Sequence, residues 1–247
     1  MSETHTGARY VQAISARASD RLARGAFHDL VLRIARPGAA LFDFGAGPGT
    51  DARFYAEHGF RVGAYDIDPG MCDYFSAHCS DFIQAGRIAL QTGTYADFLA
   101  SEKPRDAPGA DLVTSNFAPL NLVEDLRGLF SKFHALTTPD GKVLASVLSP
   151  YFAGDLRYRW WWSNCWRLWR SGHFALPGAQ GPIIRRRLAD FAALSAPHFA
   201  LKRVFPGLPS SRDPQAEGVD MNRHGASAWL QLTNCRFMFL LFEKPAM

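Results

Sequence analysis

Short apolar runs alternate with longer amphipathic stretches along this 247-residue chain. Apolar runs bounded by glycine, proline or charge are typical of buried strands, whereas apolar residues spaced three and four apart are typical of helices. Strands are therefore predicted at 39–44, 61–65, 87–92, 111–115, 142–148, 199–205 and 235–242. Helices are predicted chiefly at 10–35, 51–58, 68–84 and 120–136. This alternation predicts an α/β fold with a largely parallel sheet.

The order of these elements predicts a single domain with four parts. Residues 1–37 are expected to form an N-terminal helical cap, in which Gly25 is a candidate break. Residues 38–148 carry the first five strands, and residues 149–195 are expected to be an insertion. Residues 196–247 supply the last strand pair, with a long polar loop between the two strands.

Residues 149–195 depart from the pattern, because five of the six tryptophans fall between 160 and 169. Drawn as a helix over 155–170, this segment gathers most aromatic residues on one arc, with Trp160 on the polar side. Three interpretations are open: a lid packed on the domain, the lining of a pocket for a flat or lipophilic substrate, and a helix at an anionic membrane surface. The candidate substrate residues are Trp161, Trp162, Trp166, Trp169 and His173.

A second basic segment lies in the same insertion. Residues 172–182 are predicted to be a loop, and residues 183–194 a helix that contains Arg185, Arg186 and Arg187. Three consecutive residues cannot share one helix face. These arginines are therefore expected on a solvated surface, or against an anionic partner such as an acyl carrier protein.

The positive charge is concentrated rather than spread. The net charge is +4, and residues 151–190 hold seven arginines and two aspartates, which give +5 and leave −1 for the rest of the chain. A nucleic-acid surface spread over the domain would need a more even basic stripe. No nucleic-acid partner is expected.

The cysteines and the chain's first residues bear on its compartment. The four cysteines, at 72, 79, 165 and 235, lack the close spacing of metal ligands, so no metal site is predicted and reduced thiols are expected. The first ten residues lack the apolar segment of a signal peptide, and no apolar run approaches the length of a membrane span. A cytoplasmic location is expected.

The candidate chemistry centres on LFDFGAGPGT at 41–50, a predicted strand followed by a glycine loop and a helix start. This arrangement is typical of a nucleotide site at the carboxyl end of a sheet. The dinucleotide pattern G-x-G-x-x-G fails, because Thr50 replaces its third glycine. Asp43 would repel a pyrophosphate but suits a cation, and Asp66 ends the next strand, where a carboxylate can hold a ribose. These two positions argue against a nicotinamide-dependent oxidoreductase.

Three segments resemble the class I S-adenosylmethionine-dependent methyltransferases. FDFGAGPGT at 42–50 is similar to their glycine-rich first motif, YDIDPGM at 65–71 to their acidic second motif, and SNFAPLN at 115–121 to their fourth motif. The resemblance covers roughly residues 39–147. It implies a three-layer, doubly wound, seven-stranded and mostly parallel sheet with an antiparallel last strand, and makes the insertion a helical lid after the fifth strand.

The resemblance also implies the cofactor, S-adenosyl-L-methionine, which is released as S-adenosyl-L-homocysteine. Asp43 is expected to anchor the methionine amine, Asp66 to hold the ribose hydroxyls, and Ile67 to pack on the adenine. Thr94 stands where the family usually has an acidic residue, so Thr94 or Asp97 is expected near the adenine amine. The cofactor-binding residues implied are Asp43, Gly45, Ala46, Gly47, Asp66, Ile67, Met71, Thr94, Tyr95, Asn116, Phe117 and Leu122.

The activity implied is methyl transfer by positioning, since a sulfonium methyl group needs only an acceptor held in line with it. The aromatic insertion favours a small aromatic or lipophilic acceptor, with O-methylation favoured and C- or N-methylation open. No residue is assigned as a catalytic base. The alternatives are a non-catalytic domain that binds S-adenosylmethionine, and a methyltransferase whose acceptor is bound to a carrier protein or a membrane.

Overall fold

The computed structural model describes residues 18–102, 109–207, 219–220 and 232–245. The predicted start of the N-terminal helix and most of the polar loop between the last two predicted strands lie outside these residues. None of the described helices is both long and apolar enough to cross a lipid bilayer.

Within the described residues the main sheet has eight strands, and a separate hairpin has two. In chain order the strands are β1 (Ala40–Phe44), β2 (Arg61–Tyr65), β3 (Ile88–Gln91), β4 (Ala110–Ser115), β5 (Thr137–Leu148), β6 (His173–Leu176), β7 (Ile183–Arg186), β8 (Ala200–Pro206), β9 (Val219–Asp220) and β10 (Phe237–Glu243). The sheet order is β3–β2–β1–β4–β5–β10–β8–β9, and β6 pairs with β7 in the hairpin. The first five strands are parallel, and β10 is antiparallel to both β5 and β8. The predicted sheet is confirmed, with the two-residue β9 as an added edge strand.

Helices connect most of the successive strands. They are α1 (Ala18–Ile34), α2 (Thr50–Glu57), α3 (Pro69–His78), α4 (Ser80–Gln84), α5 (Tyr95–Ala100), α6 (Leu126–Leu136), α7 (Arg159–Ser171) and α8 (Leu188–Ser195). Short 3₁₀ turns cover Pro119–Asn121 and Ala153–Arg157. The break considered at Gly25 is absent, since α1 continues through it.

Two apolar clusters make the fold three-layered. On one face Phe27 of α1, Tyr55 of α2 and Phe75 of α3 pack against alternate residues of the central strands. On the other face Phe98, Phe133 and other side chains of α5, α6 and α8 pack against the remaining strand residues. A sheet covered on both faces exposes its strand ends, and that is where the glycine loop lies.

The insertion differs from its prediction in two places. Its central helix, α7, agrees with the predicted helix over 155–170. The segment 172–182, predicted as a loop, contains β6, and the predicted helix over 183–194 begins instead with the strand β7. Isoleucine and arginine tolerate either conformation, and pairing of Phe174 with Arg185 across the hairpin selects the strand.

Candidate functional site

The glycine loop after β1 is fixed by the end of β2. The amides of Gly45 and Ala46 donate to the carbonyl oxygen of Tyr65 at 2.8 and 3.0 Å. The amide of Gly47 donates to Oδ2 of Asp66 at 2.6 Å, and Oδ1 of Asp66 accepts from the amide of Asp68 at 2.9 Å. Burial raises the pKa of Asp66, although these two amides oppose the increase. The loop and the predicted ribose carboxylate are therefore one hydrogen-bonded unit.

The three glycines of this loop all have positive φ but differ in what surrounds them. A Cβ at Gly45 would meet the ring of Pro119 at 2.5 Å, and one at Gly49 would meet the ring of Phe75 at 2.7 Å. Among the described residues, Gly47, at φ +55°, has no atom within 4 Å of its Cβ position apart from those of its chain neighbours. The loop is thus closed at both ends and open at its middle, where a ligand can approach the backbone.

Asp43, on β1 two residues before Gly45, has one carboxylate oxygen with a hydrogen-bond partner within the described residues and one without. It is 2% exposed, and its Oδ1 accepts from the hydroxyl of Thr114 at 2.9 Å. Its Oδ2 is buried without a hydrogen-bond partner among the described residues. Burial and the negative charge of Asp51 raise the pKa of Asp43 to about 8. A buried acceptor without a donor calls for a partner that a cationic ligand would supply.

Asp51 forms a second buried cluster that the sequence interpretation missed. Its Oδ1 accepts from Arg24 at 2.6 Å and lies 2.7 Å from Nε2 of His28, and its Oδ2 accepts from Asn116 at 3.2 Å. Burial alone would raise its pKa, but Arg24, His28 and Asn116 together hold the pKa of Asp51 below its ordinary value. The available signal was the four-residue spacing of Arg24 and His28 on one face of α1.

The loop after β4 carries the backbone strain of the site. Phe117 and Ala118 have φ of 59° and 70°, values that residues with a Cβ rarely adopt. The side chain of Asn116 accepts from the amide of Phe117 at 2.9 Å, and the guanidinium of Arg24 lies 4.6 Å from the centroid of the Phe117 ring. The Asp51 cluster thus holds α1, the start of α2 and this strained loop together.

The other predicted cofactor residues fall into two groups. Ile67 and Leu122 are large apolar side chains that are 57% and 38% exposed. Met71 is buried, and its amide donates to Asp68 at the start of α3. The Thr94 hydroxyl donates to Oδ2 of Asp97 at 2.6 Å, and the two side chains together cap the N-terminus of α5.

Tyr95, also predicted at the cofactor, is half-buried at the start of α5. Its hydroxyl is buried without a hydrogen-bond partner in the described part of the chain. Burial raises the pKa of this phenol well above its ordinary value, so it stays protonated near neutral pH. The ring packs against Phe44 and Phe98 of the core, so the structure does not place this hydroxyl at the glycine loop.

Buried polar residues fasten the insertion to the loop after β4. Asn121 donates to the carbonyl oxygen of Ile184 at 2.7 Å and accepts from the amide of Leu148 at 2.9 Å. Arg186 donates to the carbonyl oxygens of Val123, Glu124 and Leu120 at 2.7, 3.2 and 3.4 Å. These contacts link β7 to the chain that follows the predicted methyl-transfer motif.

The prediction that the consecutive arginines form a solvated or partner-binding surface is wrong. Arg185 and Arg186 are 7% and 4% exposed. Arg185 is paired with the buried Asp155 and donates to the carbonyl oxygen of Ser149 at 2.9 Å. Only Arg187 reaches solvent, where it is paired with Asp190. Adjacent side chains of a strand point to opposite faces, so Arg185 and Arg186 bind different buried partners.

The predicted substrate residues are mostly on the surface. Trp162, Trp166 and Trp169 are 63%, 59% and 70% exposed, whereas Trp161 is half-buried and its indole N–H lies 3.4 Å from the carbonyl oxygen of Pro150. His173 is exposed, with Nδ1 3.0 Å from the carbonyl oxygen of Ser171. Trp160, predicted on the polar side, is half-buried and faces Phe174 instead.

The polar groups at and near the glycine loop suit an organic cation better than a metal ion. Within the described ranges no group of three or more histidine, cysteine or acidic residues is arranged to hold a metal. The open backbone at Gly47, the unsatisfied Asp43 carboxylate and the Asp66 carboxylate together offer acceptors to a ligand that carries hydroxyl groups and a positive charge. S-adenosylmethionine has both.

A family model described as a methyltransferase domain matches residues 15–180. The chain belongs to this methyltransferase family. The resemblance stated from the three motifs is therefore confirmed, and S-adenosylmethionine is the cofactor of the methyltransferase.

One curated relative carries a substrate in its name. Malonyl-[acyl-carrier protein] O-methyltransferase of Salmonella typhimurium is 30% identical to the present chain over 131 residues. The match covers 53% of the present chain and 47% of the relative, so the chain spans about half the length of the curated relative that it matches.

Solved structures match over nearly the whole chain at low identity. A TehB-like S-adenosylmethionine-dependent methyltransferase from Corynebacterium glutamicum has a TM-score of 0.59 and 16% identity, with 98% of each chain covered. The 1,6-didemethyltoxoflavin-N1-methyltransferase of Burkholderia thailandensis, solved with its acceptor and S-adenosylhomocysteine, has a TM-score of 0.59 and 17% identity over 98% of this chain and 88% of that one. At these identities the matches establish the fold.

Proposed function

We propose that this methyltransferase transfers the methyl group of S-adenosylmethionine to a small aromatic or lipophilic acceptor, with an oxygen atom favoured as the methylated position. The observation that carries the proposal is the partnerless Oδ2 of Asp43, close in the chain to a glycine loop whose middle, at Gly47, is open among the described residues. A buried acceptor and an open glycine suit a ligand that has a cationic end and approaches the main chain.

Each proposed cofactor contact has its own physical support. Asp43 would take the methionine amine, and Asp66, already held by the Gly47 amide, would take the ribose hydroxyls. The exposed Ile67 and Leu122 would pack on the adenine, and the Tyr95 hydroxyl would offer a hydrogen-bond donor near it. When bound, S-adenosylmethionine supplies an activated methyl group. The chain contributes position and the exclusion of water.

The insertion supports an acceptor site next to the loop after β4. Asn121 and Arg186 tie β7 to residues 120–124, so the insertion is held next to the strained residues Phe117 and Ala118. The half-buried Trp161, whose indole lies near Pro150 at the end of β5, is the tryptophan best supported as an acceptor contact. Trp162, Trp166, Trp169 and His173 would reach an acceptor only from the exposed side of the insertion.

A carrier-bound acceptor is a second candidate, because the curated relative acts on a malonyl group carried by acyl carrier protein. A carboxylate acceptor needs no proton removed by the protein, which agrees with the absence of an assigned base. We further propose that the methyltransferase works in the cytoplasm, where its cysteines, none of them in a disulfide, stay reduced.

The test is release of S-adenosylhomocysteine in the presence of small phenols, small carboxylic acids and a malonyl-loaded acyl carrier protein. The expected result is turnover with one acceptor class that is lost in Asp66→Ala. Calorimetry on the same protein separates the alternatives: tight binding of S-adenosylhomocysteine without turnover on any acceptor would favour a non-catalytic binding domain. Absence of binding would refute the proposed cofactor site.

A further inference from the structure

The outer face of α7 carries three tryptophans that make no described contact with the residues of the methyl-transfer site. We name Trp162, Trp166 and Trp169 the tryptophan face. At about 100° per residue these positions fall within about 60° of the helix circumference. All three are more than half exposed, and the rings of Trp166 and Trp169 lie 4.9 Å apart. Such a contiguous apolar surface is unusual for a protein face in water.

The opposite side of α7 is already occupied by the domain. Asn164 is its only fully buried residue, and Trp160 lies 6.1 Å from the ring of Phe174 in the hairpin and 5.2 Å from the guanidinium of Arg185. The inward residues fix how the helix is rotated on the domain. The tryptophan face is therefore turned away from the hairpin by packing and is not exposed by chance fraying of the helix.

Arginines border the tryptophan face. Arg159, Arg167 and Arg170 are exposed and occupy the next 80° or so of the same helix. Within the residues that the structure describes, none of the three has a carboxylate within 4.0 Å, and the one polar contact found for them is between Arg167 and Asn164 at 3.2 Å. The exposed half of α7 thus presents indoles along one flank and uncompensated positive charge along the other.

We infer that the tryptophan face docks on an anionic membrane surface. Indole rings prefer the boundary between headgroups and acyl chains, where the ring is apolar and its N–H stays hydrated, and guanidinium groups pair there with lipid phosphates. The helix is only about 20 Å long, and one stripe on it is smaller than the roughly 800 Å² that each partner buries in a stable protein complex. An interfacial helix needs only its apolar stripe and nearby cations.

This inference goes beyond the proposed methyl transfer, and it is measured without turnover. Vesicles of phosphatidylcholine and phosphatidylglycerol in equal parts, and of phosphatidylcholine alone, are sedimented with the full chain. The expected result is binding to the anionic vesicles that weakens as salt is added, because exposed charges are screened within about 10 Å at ordinary ionic strength. The tryptophan emission should shift to the blue on binding.

Two variants test the face from independent sides. Trp162→Ser, Trp166→Ser and Trp169→Ser combined should lower partitioning on the order of 100-fold, since even partial burial of each ring is worth several-fold. Arg159→Gln, Arg167→Gln and Arg170→Gln combined should also lower it on the order of 100-fold, since each cation near an anionic surface contributes about fivefold. The second variant keeps the test decisive if the first fails to fold.

A matched control removes three positive charges elsewhere. Arg36 after α1, Arg61 on β2 and Lys202 on β8 are exposed, and their combined replacement by Gln should leave vesicle binding nearly unchanged. Equal loss in both arginine variants, or equal binding to neutral and anionic vesicles, would overturn the inference. So would unchanged vesicle binding in the tryptophan variant together with a raised acceptor KM, which would assign the face to the acceptor, or binding to acyl carrier protein in place of vesicles.

Discussion

The carboxylate of Asp66 accepts a hydrogen bond of 2.6 Å from the backbone amide of Gly47, so the end of β2 holds the loop that follows β1. Asp66→Ala removes the proposed ribose contact and this tie together. We expect affinity for S-adenosylhomocysteine to fall by about 1.5–3 kcal/mol, the range for hydrogen bonds to a charged group. Isothermal calorimetry measures the change. Asp73→Ala, at an exposed acidic position on α3, is the control and should bind normally.

The glycine loop offers a contrast between two substitutions. Gly47→Val adds a side chain where the described part of the chain has no neighbouring atom within 4 Å but where a ligand would approach, at a strain of about 1–2 kcal/mol for its positive φ. The protein should stay folded and lose its thermal stabilisation by S-adenosylhomocysteine. Gly45→Ala should instead destabilise the unliganded protein, because its Cβ would meet Pro119. Normal stabilisation of Gly47→Val by the ligand would remove the loop from the site.

The affinity for S-adenosylhomocysteine should depend on pH through Asp43. Burial and Asp51 raise the pKa of Asp43 to about 8, so below that pH the carboxyl group of the unliganded protein is protonated. A cationic amine favours the ionised form, and binding must then release the proton. The affinity should fall by up to about tenfold per pH unit below about pH 8. Asp43→Asn should flatten this slope, whereas a flat profile in the unmodified protein would contradict the contact.

Asp51 should matter more to stability than a paired aspartate on the surface. Asp51→Asn leaves the half-buried Arg24 and the buried His28 without their shared carboxylate, and we expect a loss of about 3 kcal/mol in the free energy of unfolding. Asp81, which pairs with Arg53 in solvent, is the matched control, and Asp81→Asn should have a much smaller effect. Urea unfolding measures both. Equal losses would mean that the Asp51 cluster is not a structural tie.

Arg186 and Arg187 are neighbours in the chain with opposite surroundings. Arg186→Met leaves three backbone carbonyl oxygens without their donor, and we expect a loss of about 1–3 kcal/mol in the free energy of unfolding. Arg187→Met removes an exposed ion pair and should cost less. Because Arg186 ties the insertion to the loop after β4, its variant should also lower methyl transfer more than cofactor affinity. An effect confined to cofactor affinity would place its role elsewhere.

The sequence by itself determined the parts of the molecule that local patterns specify. The order of the strands and helices outside the insertion and the positions of Asp43, the glycine loop and Asp66 follow from apolar periodicity and from motifs a few residues long, and the family resemblance of those motifs implied the antiparallel last strand. A glycine loop between a buried strand and a helix has few conformations available, so its shape is specified by the local sequence.

Only the tertiary structure decided which distant residues meet. Arg24, His28 and Asn116 converge on Asp51 from 27, 23 and 65 residues away, and no local pattern encodes such pairing. Residues 183–186 form a strand because β6 lies beside them, and that pairing buries Arg185 and Arg186. Periodicity placed the tryptophans on one arc of a helix, but the contact of Trp160 with the hairpin and the burial of Asn164 determined which arc faces solvent. Whether a side chain is buried depends on which residues pack against it, and this packing cannot be read from the sequence alone.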